Sequence, residues 1–140
     1  MSEESTTPDL VALVRRSIQA ANDRDIDWAL TFFAPDAVWD MSPLGMGTFG
    51  GIEAIRGFFE DWLGAYEEYA MEAEEIVDLG NGVAFAVLLQ KGRLVGSSGE
   101  VHLRYASAGV WANGLLTRLT SHGDIDAARA AAERLAEERG

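Results

Sequence analysis

The residues best placed to carry chemistry lie in one segment near the N-terminus, residues 22–45, which reads NDRDIDWALTFFAPDAVWDMSPLG. Asp40 stands there among apolar residues, namely Ala37, Val38, Trp39, Met41 and Leu44. A carboxylate with apolar neighbours is costly to ionise, so we expect a raised pKa for Asp40, which suits acid–base work. Asp40 could then take a proton from a carbon next to a carbonyl, or orient a water molecule. The alternative is that Asp40 caps the following turn through Ser42 or lies at a wet pocket edge.

The composition argues against several other kinds of chemistry. The 140 residues include no cysteine, which excludes disulfides, thiolate catalysis and zinc–sulfur sites. Lys91 is the only lysine, and its turn-like Lys-Gly-Arg setting does not favour Schiff-base chemistry. His102 and His122 have no matching third ligand, so we expect no metal site and no cofactor. The net charge of −12 argues against nucleic acid and anionic membrane surfaces as partners.

Hydrophobic periodicity divides the chain into helices, a run of strands and a closing helix. The spacing of apolar residues predicts helices over 8–22, 26–33, 52–69 and 125–138. Alternation and apolar runs predict strands over 36–41, 70–78, 83–89, 100–111 and 115–122. Helix caps are expected at Thr7-Pro8-Asp9, Asp25 and Asp124, and Asn113-Gly114 is typical of a type I′ hairpin turn. The Gly-rich segment 42–51 is interpreted as a mobile rim over an opening.

This order of elements predicts an α+β domain with a curved antiparallel sheet of about five strands. The N-terminal helices would wrap the sheet and the C-terminal helix would close it, which gives a cone whose open end is a pocket. Residues 8–138 are expected to form this single domain and residues 1–7 a disordered tail. No apolar run approaches the ~20 residues that span a bilayer, and the acidic N-terminus has no signal-peptide pattern, so a cytoplasmic location is expected.

Two pieces of the sequence carry a family resemblance, DRDIDWALTFFAPDAVWD near the start and WANGLLTRLTSHGDID near the end. With the order of elements, they make the chain resemble the SnoaL-like branch of the nuclear transport factor two-like superfamily over residues 8–135. The resemblance implies a cystatin-like cone and kinship with ketosteroid isomerases, limonene epoxide hydrolases and polyketide cyclases. Since this superfamily also contains binding proteins without catalysis, the resemblance alone does not define the function.

Ketosteroid isomerase-like proteins have three catalytic groups whose matching positions can be compared. The resemblance places their general-base Asp at or beside Asp40, with Met41 and Ser42 as the other possible occupants. Their first-helix Tyr matches Ser17, and their oxyanion-hole Asp matches Ser107. At best one of the three groups is therefore retained.

Two other enzyme types in the superfamily can be compared in the same way. The Arg and two Asp of limonene epoxide hydrolase-like proteins match Leu88, Gln90 and Ser121, so the resemblance implies that this triad is absent. SnoaL-like polyketide cyclases use an acid near the end of the last strand, which corresponds to the region of Asp124. Asp124 also has a plain alternative role as a helix N-cap.

The inward faces of the predicted strands indicate a roomy and largely apolar pocket. Ser107, Gly109, Ser121 and Gly123 are small residues on those faces, which leaves volume between sheet and helices. The alternative is that helix side chains fill this space. The residues predicted to contact a substrate are Trp28, Phe32, Trp39, Phe58, Trp62, Tyr66, Leu88, Gln90, Leu103, Tyr105, Ser107, Leu119 and Ser121.

Two functions follow from these expectations. The first is a cofactor-free enzyme of the isomerase, cyclase or dehydratase type, in which Asp40 acts as acid or base on a largely apolar organic substrate. The alternative is a binding or accessory module that carries such a molecule without chemistry. The resemblance also implies a homodimer through the convex face of the sheet, where alternation places Arg104 and Arg118 together with both histidines.

Overall fold

The structure, a computed structural model, describes residues 9–140, which form an α+β fold with a six-stranded curved sheet. In chain order the elements are α1 Leu10–Asn22, α2 Ile26–Leu30, β1 Phe33–Asp40, β2 Thr48–Gly50, α3 Ile52–Gly64, β3 Tyr66–Gly80, β4 Val83–Leu94, β5 Glu100–Ala112, β6 Leu115–His122 and α4 Ile125–Arg139. A short 3₁₀ turn, Ser42–Leu44, precedes β2. The predicted fold class is confirmed. The predicted tail, residues 1–7, and the predicted helix start at Thr7-Pro8 lie outside the described residues.

Aspartates begin three of the helices, because a carboxylate accepts hydrogen bonds from the free N–H groups of a first turn. Asp9 caps α1 by accepting from the amide of Val11 at 3.0 Å. The predicted caps at Asp25 and Asp124 are confirmed, since each accepts a backbone N–H three residues on at 3.0 Å. The helices that flank the sheet are therefore positioned by short polar signals in the sequence.

The strands follow the order β2-β1-β6-β5-β4-β3, which leaves β2 and β3 at the two edges of the sheet. Neighbouring strands are antiparallel except β1 and β6, which run parallel with Trp39 opposite Leu119. The sixth strand, β2, lies inside the Gly-rich segment that the sequence predicts as a rim loop. Pairing of β1 with β6 joins segments about 80 residues apart in the chain, so no local pattern can reveal it.

Two predicted helices are shorter in the structure. The predicted helix 26–33 ends at Leu30, because Phe33 already belongs to β1. The predicted helix 52–69 ends at Gly64, and Tyr66 begins β3. Gly92 of β4 accounts for part of this, since a Cβ there would lie 2.7 Å from the ring of Tyr66. The tyrosine therefore packs over a glycine of the neighbouring strand instead of continuing the helix.

Two-residue turns join β3 to β4 and β5 to β6. Asn113 and Gly114 have φ angles of 55° and 81°, as the predicted type I′ turn requires. Asn81 and Gly82 repeat this geometry between β3 and β4, with φ angles of 57° and 81°. A Cβ at Gly82 would also lie 2.5 Å from the carbonyl oxygen of Trp111, so glycine is required there for space as well.

The two faces of the sheet have different coverings. The helices α1, α2 and α3 pack with the inner face around Trp39, Phe58 and Phe59. The outer face of β4 and β5 packs against one side of α4, through Ala128, Ala132 and Ala136. Burial of apolar side chains on both faces of the central strands explains why Val83–Leu88 reads as an unbroken apolar run. Among the described residues, no helix is both long enough and apolar enough to cross a membrane.

Asn22, at the end of α1, is attached to the edge strand β3. Its side-chain amide donates to the carbonyl oxygen of Met71 at 2.9 Å, and its side-chain oxygen accepts from the amide of Met71 at 2.6 Å. The side chain thereby makes the two hydrogen bonds that a neighbouring strand would make at this residue. This contact holds α1 against the sheet, where the helix forms one side of the interior.

Candidate functional site

A cavity lies between the inner face of the sheet and the helices α1 and α3. The cavity has a volume of about 120 Å³, enough for a molecule of about one ring. Partly exposed apolar residues of α1, of the segment after β1 and of β5 form the part of the wall that reaches the surface, namely Val14, Ile18, Leu44, Met46 and Leu103. The cavity therefore has an apolar rim.

Nine of the predicted substrate-contact residues lie in the wall of this cavity, on α3, β1, β4, β5 and β6. They are Trp39, Phe58, Trp62, Leu88, Gln90, Leu103, Tyr105, Ser107 and Leu119. Alternation along β5 brings Leu103, Tyr105 and Ser107 to the same face of the sheet. Contact of these residues with a ligand stays a prediction.

Four other predicted contact residues do not line the cavity. Trp28 and Phe32 pack against each other with ring centroids 6.2 Å apart, and neither is part of the cavity wall. Tyr66 lies behind Gln90, whose Nε2 donates to the tyrosine hydroxyl at 3.1 Å. Ser121 is fully buried behind Ser107, with their two hydroxyl oxygens 2.9 Å apart. Tyr66 and Ser121 thus support polar residues of the wall from behind.

The predicted position and pKa of Asp40 are wrong. Successive residues of a strand point to opposite faces, so Trp39 enters the interior and the side chain of Asp40 lies on the outer face, beside Arg118. Hydrogen bonds from the hydroxyl and amide of Ser42 hold the pKa of Asp40 below its ordinary value, with further help from Thr48 and Arg118. These contacts outweigh desolvation, which acts in the opposite direction. Asp40 is therefore an ionised group outside the cavity.

Asp40 instead holds together the two ends of the loop between β1 and β2, in agreement with the alternative that it caps a turn through Ser42. One carboxylate oxygen accepts from the amide and hydroxyl of Ser42 at 2.9 and 2.6 Å, and from the hydroxyl of Thr48 at 3.1 Å. The other oxygen accepts from Arg118 at 3.1 Å. Since the loop between Ser42 and Thr48 carries Leu44 and Met46, Asp40 stabilises part of the cavity rim.

Replacing Asp40 with asparagine should lower the free energy of unfolding by about 1–2 kcal/mol at neutral pH, since hydrogen bonds to a charged group are lost. The folded state holds the Asp40 proton more weakly than the unfolded chain does. Its stabilisation is therefore present above the ordinary pKa of 3.8 and is lost as the pH falls through the lower folded value. Urea unfolding at several pH values, with the exposed Asp36→Asn as the control, checks this. An equal stability difference at pH 3 and pH 7 would contradict it.

The wall of the cavity is electrically neutral. None of the described residues that line it is Asp, Glu, His, Lys or Arg. Apart from the indole N–H groups of its three tryptophans, its polar side chains are hydroxyls and one amide, contributed by Ser17, Tyr69, Gln90, Tyr105 and Ser107. The part of the wall that the structure describes therefore offers no ionised group for general acid–base catalysis.

Gln90 is the centre of a hydrogen-bond network at one end of the cavity. Its side-chain oxygen accepts from the indole N–H of Trp62 at 3.2 Å and from the hydroxyl of Tyr69 at 3.3 Å. Its amide nitrogen donates to the hydroxyl of Tyr66 at 3.1 Å. These bonds compensate for the burial of an amide that is only 2% exposed.

A second network lies beneath the middle of the wall, where β1, β5 and β6 meet. The indole N–H of Trp39 donates to the hydroxyl oxygen of Ser121 at 3.2 Å. The hydroxyl of Ser121 lies 2.9 Å from that of Ser107, which lines the cavity. A chain of polar groups thus runs from the aromatic core to the cavity surface.

The hydroxyl of Tyr105, another group of the wall, has only a weak hydrogen-bond partner. The partner of its hydroxyl is the sulfur of Met71, a weak acceptor, at 4.0 Å. Burial raises the pKa of Tyr105 above its ordinary value, and burial likewise raises the pKa of Tyr69. Both tyrosines are therefore uncharged hydrogen-bond donors at any physiological pH.

Tyr69 and Met71 are wall residues that the sequence analysis missed. The predicted helix 52–69 hides Tyr69, because a residue at a helix end gives no strand alternation. The following residues did indicate their position. Glu72 and Glu74 are charged and should face solvent, so the alternating residues between and before them should face inward. Extending that alternation backwards would have brought both residues to the inner face.

The histidines lie away from the cavity. His102 is exposed and pairs with Glu100 at 2.5 Å, and His122 is not part of the wall. Within residues 9–140, no group of three potential metal ligands comes together. Arg104 pairs with Glu74 on the outer face, and self-association through that face stays a prediction.

Comparisons with known proteins agree on the fold. A model of the SnoaL-like domain family matches residues 14–119. A protein of unknown function from Burkholderia pseudomallei K96243, described as NTF2-like, superposes with a TM-score of 0.70 and 23% identity, covering 84% of this chain and 92% of that one.

Two further solved structures have similar scores. TerC, co-crystallised with polyporic acid, has a TM-score of 0.70 and 18% identity, over 89% of this chain and 97% of its own. SalBIII, described as an epoxide hydrolase/cyclase-like enzyme of pyran ring formation in salinomycin, has a TM-score of 0.72 and 16% identity, over 87% and 93%. A search of curated protein sequences finds no significant match.

Proposed function

This chain belongs to the SnoaL-like domain family, and from that premise we propose that it binds a small, uncharged and largely apolar organic molecule in its interior cavity. The observation that carries the proposal is the neutral wall. Hydroxyls, one amide, three indoles and apolar side chains surround the space, and no ionised group lines it among the described residues. A charged ligand would lose its hydration there without gaining a partner of opposite charge, whereas a neutral one would not.

The size of the space supports a ligand of about one ring. A cavity of about 150 Å³ with apolar walls holds benzene in another protein, and the present cavity is close to that, about 120 Å³. Aromatic side chains supply flat surfaces on several sides, with Trp39 and Phe58 centred 5.0 Å apart and Phe58 and Trp62 5.6 Å apart. Such walls favour a flat or cyclic molecule.

A second candidate function is catalysis through uncharged donors. It is favoured by one observation, the buried hydroxyl of Tyr105, which has only a sulfur partner. A neutral hydroxyl can polarise a carbonyl group and stabilise the negative charge that develops on its oxygen. This differs from the acid–base mechanism expected for Asp40, because no residue of the wall would need to change its charge.

Titration with three cyclic probes tests the proposed function. Cyclohexanone should bind, whereas cyclohexanecarboxylate and cyclohexylammonium should bind at least roughly 100-fold more weakly, because burying an unpaired charge costs several kcal/mol. Trp39, Trp62 and Trp111 line the cavity, so intrinsic fluorescence together with ligand-observed NMR can follow occupancy. Equal binding of the charged probes, or no binding of cyclohexanone, would contradict the proposal.

Binding of cyclohexanone should also be independent of pH between about 5 and 9. The reason is that the tyrosines of the wall, Tyr69 and Tyr105, have pKa values raised above the ordinary 10, so neither loses its proton in this range. Measurement of the dissociation constant at each pH, in buffers of equal ionic strength, checks this. A titration step near pH 6 or 7 would indicate an ionisable group in contact with the ligand.

A further inference from the structure

The hydrogen-bond partners of Ser121 determine which of the two hydroxyls, Ser107 or Ser121, is the donor in the network beneath the cavity wall. The hydroxyl oxygen of Ser121 accepts from the indole of Trp39, so its own hydrogen must go elsewhere. Ser121 is 0% exposed, and the described residues offer that hydrogen no acceptor other than Ser107. Because an unpaired buried hydroxyl is costly, Ser121 donates and Ser107 accepts.

This direction leaves the hydrogen of Ser107 free. Ser107 accepts from Ser121, has no further partner among the described residues, and lines the cavity. Its hydroxyl can therefore satisfy its hydrogen only by donating to something inside the cavity. The other serine of the wall, Ser17, differs, since its hydroxyl donates to the carbonyl oxygen of Val14 at 2.7 Å.

The series of hydrogen bonds from Trp39 through Ser121 also makes Ser107 a better donor than an isolated serine. A hydroxyl that accepts a hydrogen bond becomes more polarised and donates more strongly, and the effect passes along a chain in a medium of low dielectric constant. Here the chain is Trp39 N–H to Ser121, and Ser121 O–H to Ser107. Three strands contribute one residue each, so the chain depends on the tertiary fold.

We propose that Trp39 and Ser121 position the hydroxyl of Ser107 as a hydrogen-bond donor, which selects ligands carrying a neutral acceptor oxygen such as a ketone or quinone carbonyl. This inference rests on the proposed function and names the chemical class of ligand. Ser107 touches the ligand, whereas Ser121 acts through Ser107, because Ser121 is not part of the wall.

The test compares two probes of nearly equal shape, cyclohexanone and methylenecyclohexane, which differ in the acceptor oxygen. The ratio of their dissociation constants is measured for the wild-type protein and for variants. In Ser107→Ala and in Ser121→Ala the ratio should shift toward the hydrocarbon by up to about tenfold, because one hydrogen bond to the ketone is lost or weakened. Ser121→Thr, which keeps the hydroxyl, should show the wild-type ratio.

Controls separate this effect from a loss of structure. Unchanged affinity for methylenecyclohexane shows that the cavity of a variant is intact. Ser17→Ala removes a hydroxyl of the wall that is already occupied, so the ratio should stay at its wild-type value.

Two results would overturn the inference. An unchanged ratio in Ser107→Ala would show that Ser107 is not the donor, and an unchanged ratio in Ser121→Ala would show that Ser121 does not position it. If both probes bind the wild-type protein in either case, the proposed function still stands. Failure of both probes to bind the wild-type protein would overturn the proposed function and this inference with it.

Discussion

Replacing Ala86 with phenylalanine should abolish binding of cyclohexanone and leave the fold intact. Ala86 is buried in the wall, directly across from Ser107 in the β4–β5 register. A phenyl ring there would occupy the space that the ligand needs. Burial of a ring-sized apolar molecule contributes about 3 kcal/mol, so its loss corresponds to an affinity at least about 100-fold lower.

The matched control for the filled cavity is Ala70→Phe, which adds the same ring at an exposed position of β3. This variant should bind cyclohexanone like the wild-type protein. Thermal unfolding completes the comparison, since a ring that fills an existing cavity should leave the melting temperature unchanged or raise it. Full binding by a folded Ala86→Phe protein would show that the ligand site lies elsewhere.

Trp39→Ala should lower the free energy of unfolding by about 4 kcal/mol, a large part of the stability of a domain of this size. Trp39 is 9% exposed and packs against Phe33, Phe58 and Phe59, with ring centroids 5.0 to 6.0 Å away. Its indole N–H also donates a hydrogen bond to the hydroxyl of Ser121. The change therefore removes a large apolar contact and leaves a polar network incomplete.

Trp28→Ala is the control for Trp39, because it deletes the same side chain at a partly exposed position. Trp28 makes one aromatic contact, to Phe32 at 6.2 Å, so we expect a loss of about 1 kcal/mol. Urea unfolding followed by far-ultraviolet circular dichroism suits both variants, since fluorescence would change with the tryptophan content. Similar losses for the two variants would contradict the central place of Trp39.

The family and the order of elements could be predicted because they depend on local patterns. Caps such as Asp25 and Asp124, the Asn113-Gly114 turn and the alternation of β5 are all written over a few residues. The parallel pairing of β1 with β6 and the edge strand β2 were not predicted. Both arise from contacts between distant segments, which a single sequence does not display.

The candidate site shows the same division. Inward residues of β5 were predicted because a period of two along a long strand has one apolar face. The face on which Asp40 lies was predicted wrongly. A shift of one residue in the register of β1 moves every side chain to the other face of the sheet, and Pro35 near the start of the strand makes the alternation hard to recognise. Its low pKa comes from Ser42, Thr48 and Arg118, and the contacts of the last two depend on the fold.

The amide of Asn22 has a consequence for behaviour at high concentration. The two edges of an open sheet are places where a second molecule can add a strand and begin a fibre. At one edge β2 is only three residues long, and at the other Asn22 occupies the backbone groups of Met71 in the long strand β3. An incoming strand would find its ladder interrupted there and would face exposed glutamates on β3, such as Glu68 and Glu72, so edge-to-edge polymerisation is disfavoured at both ends of the sheet.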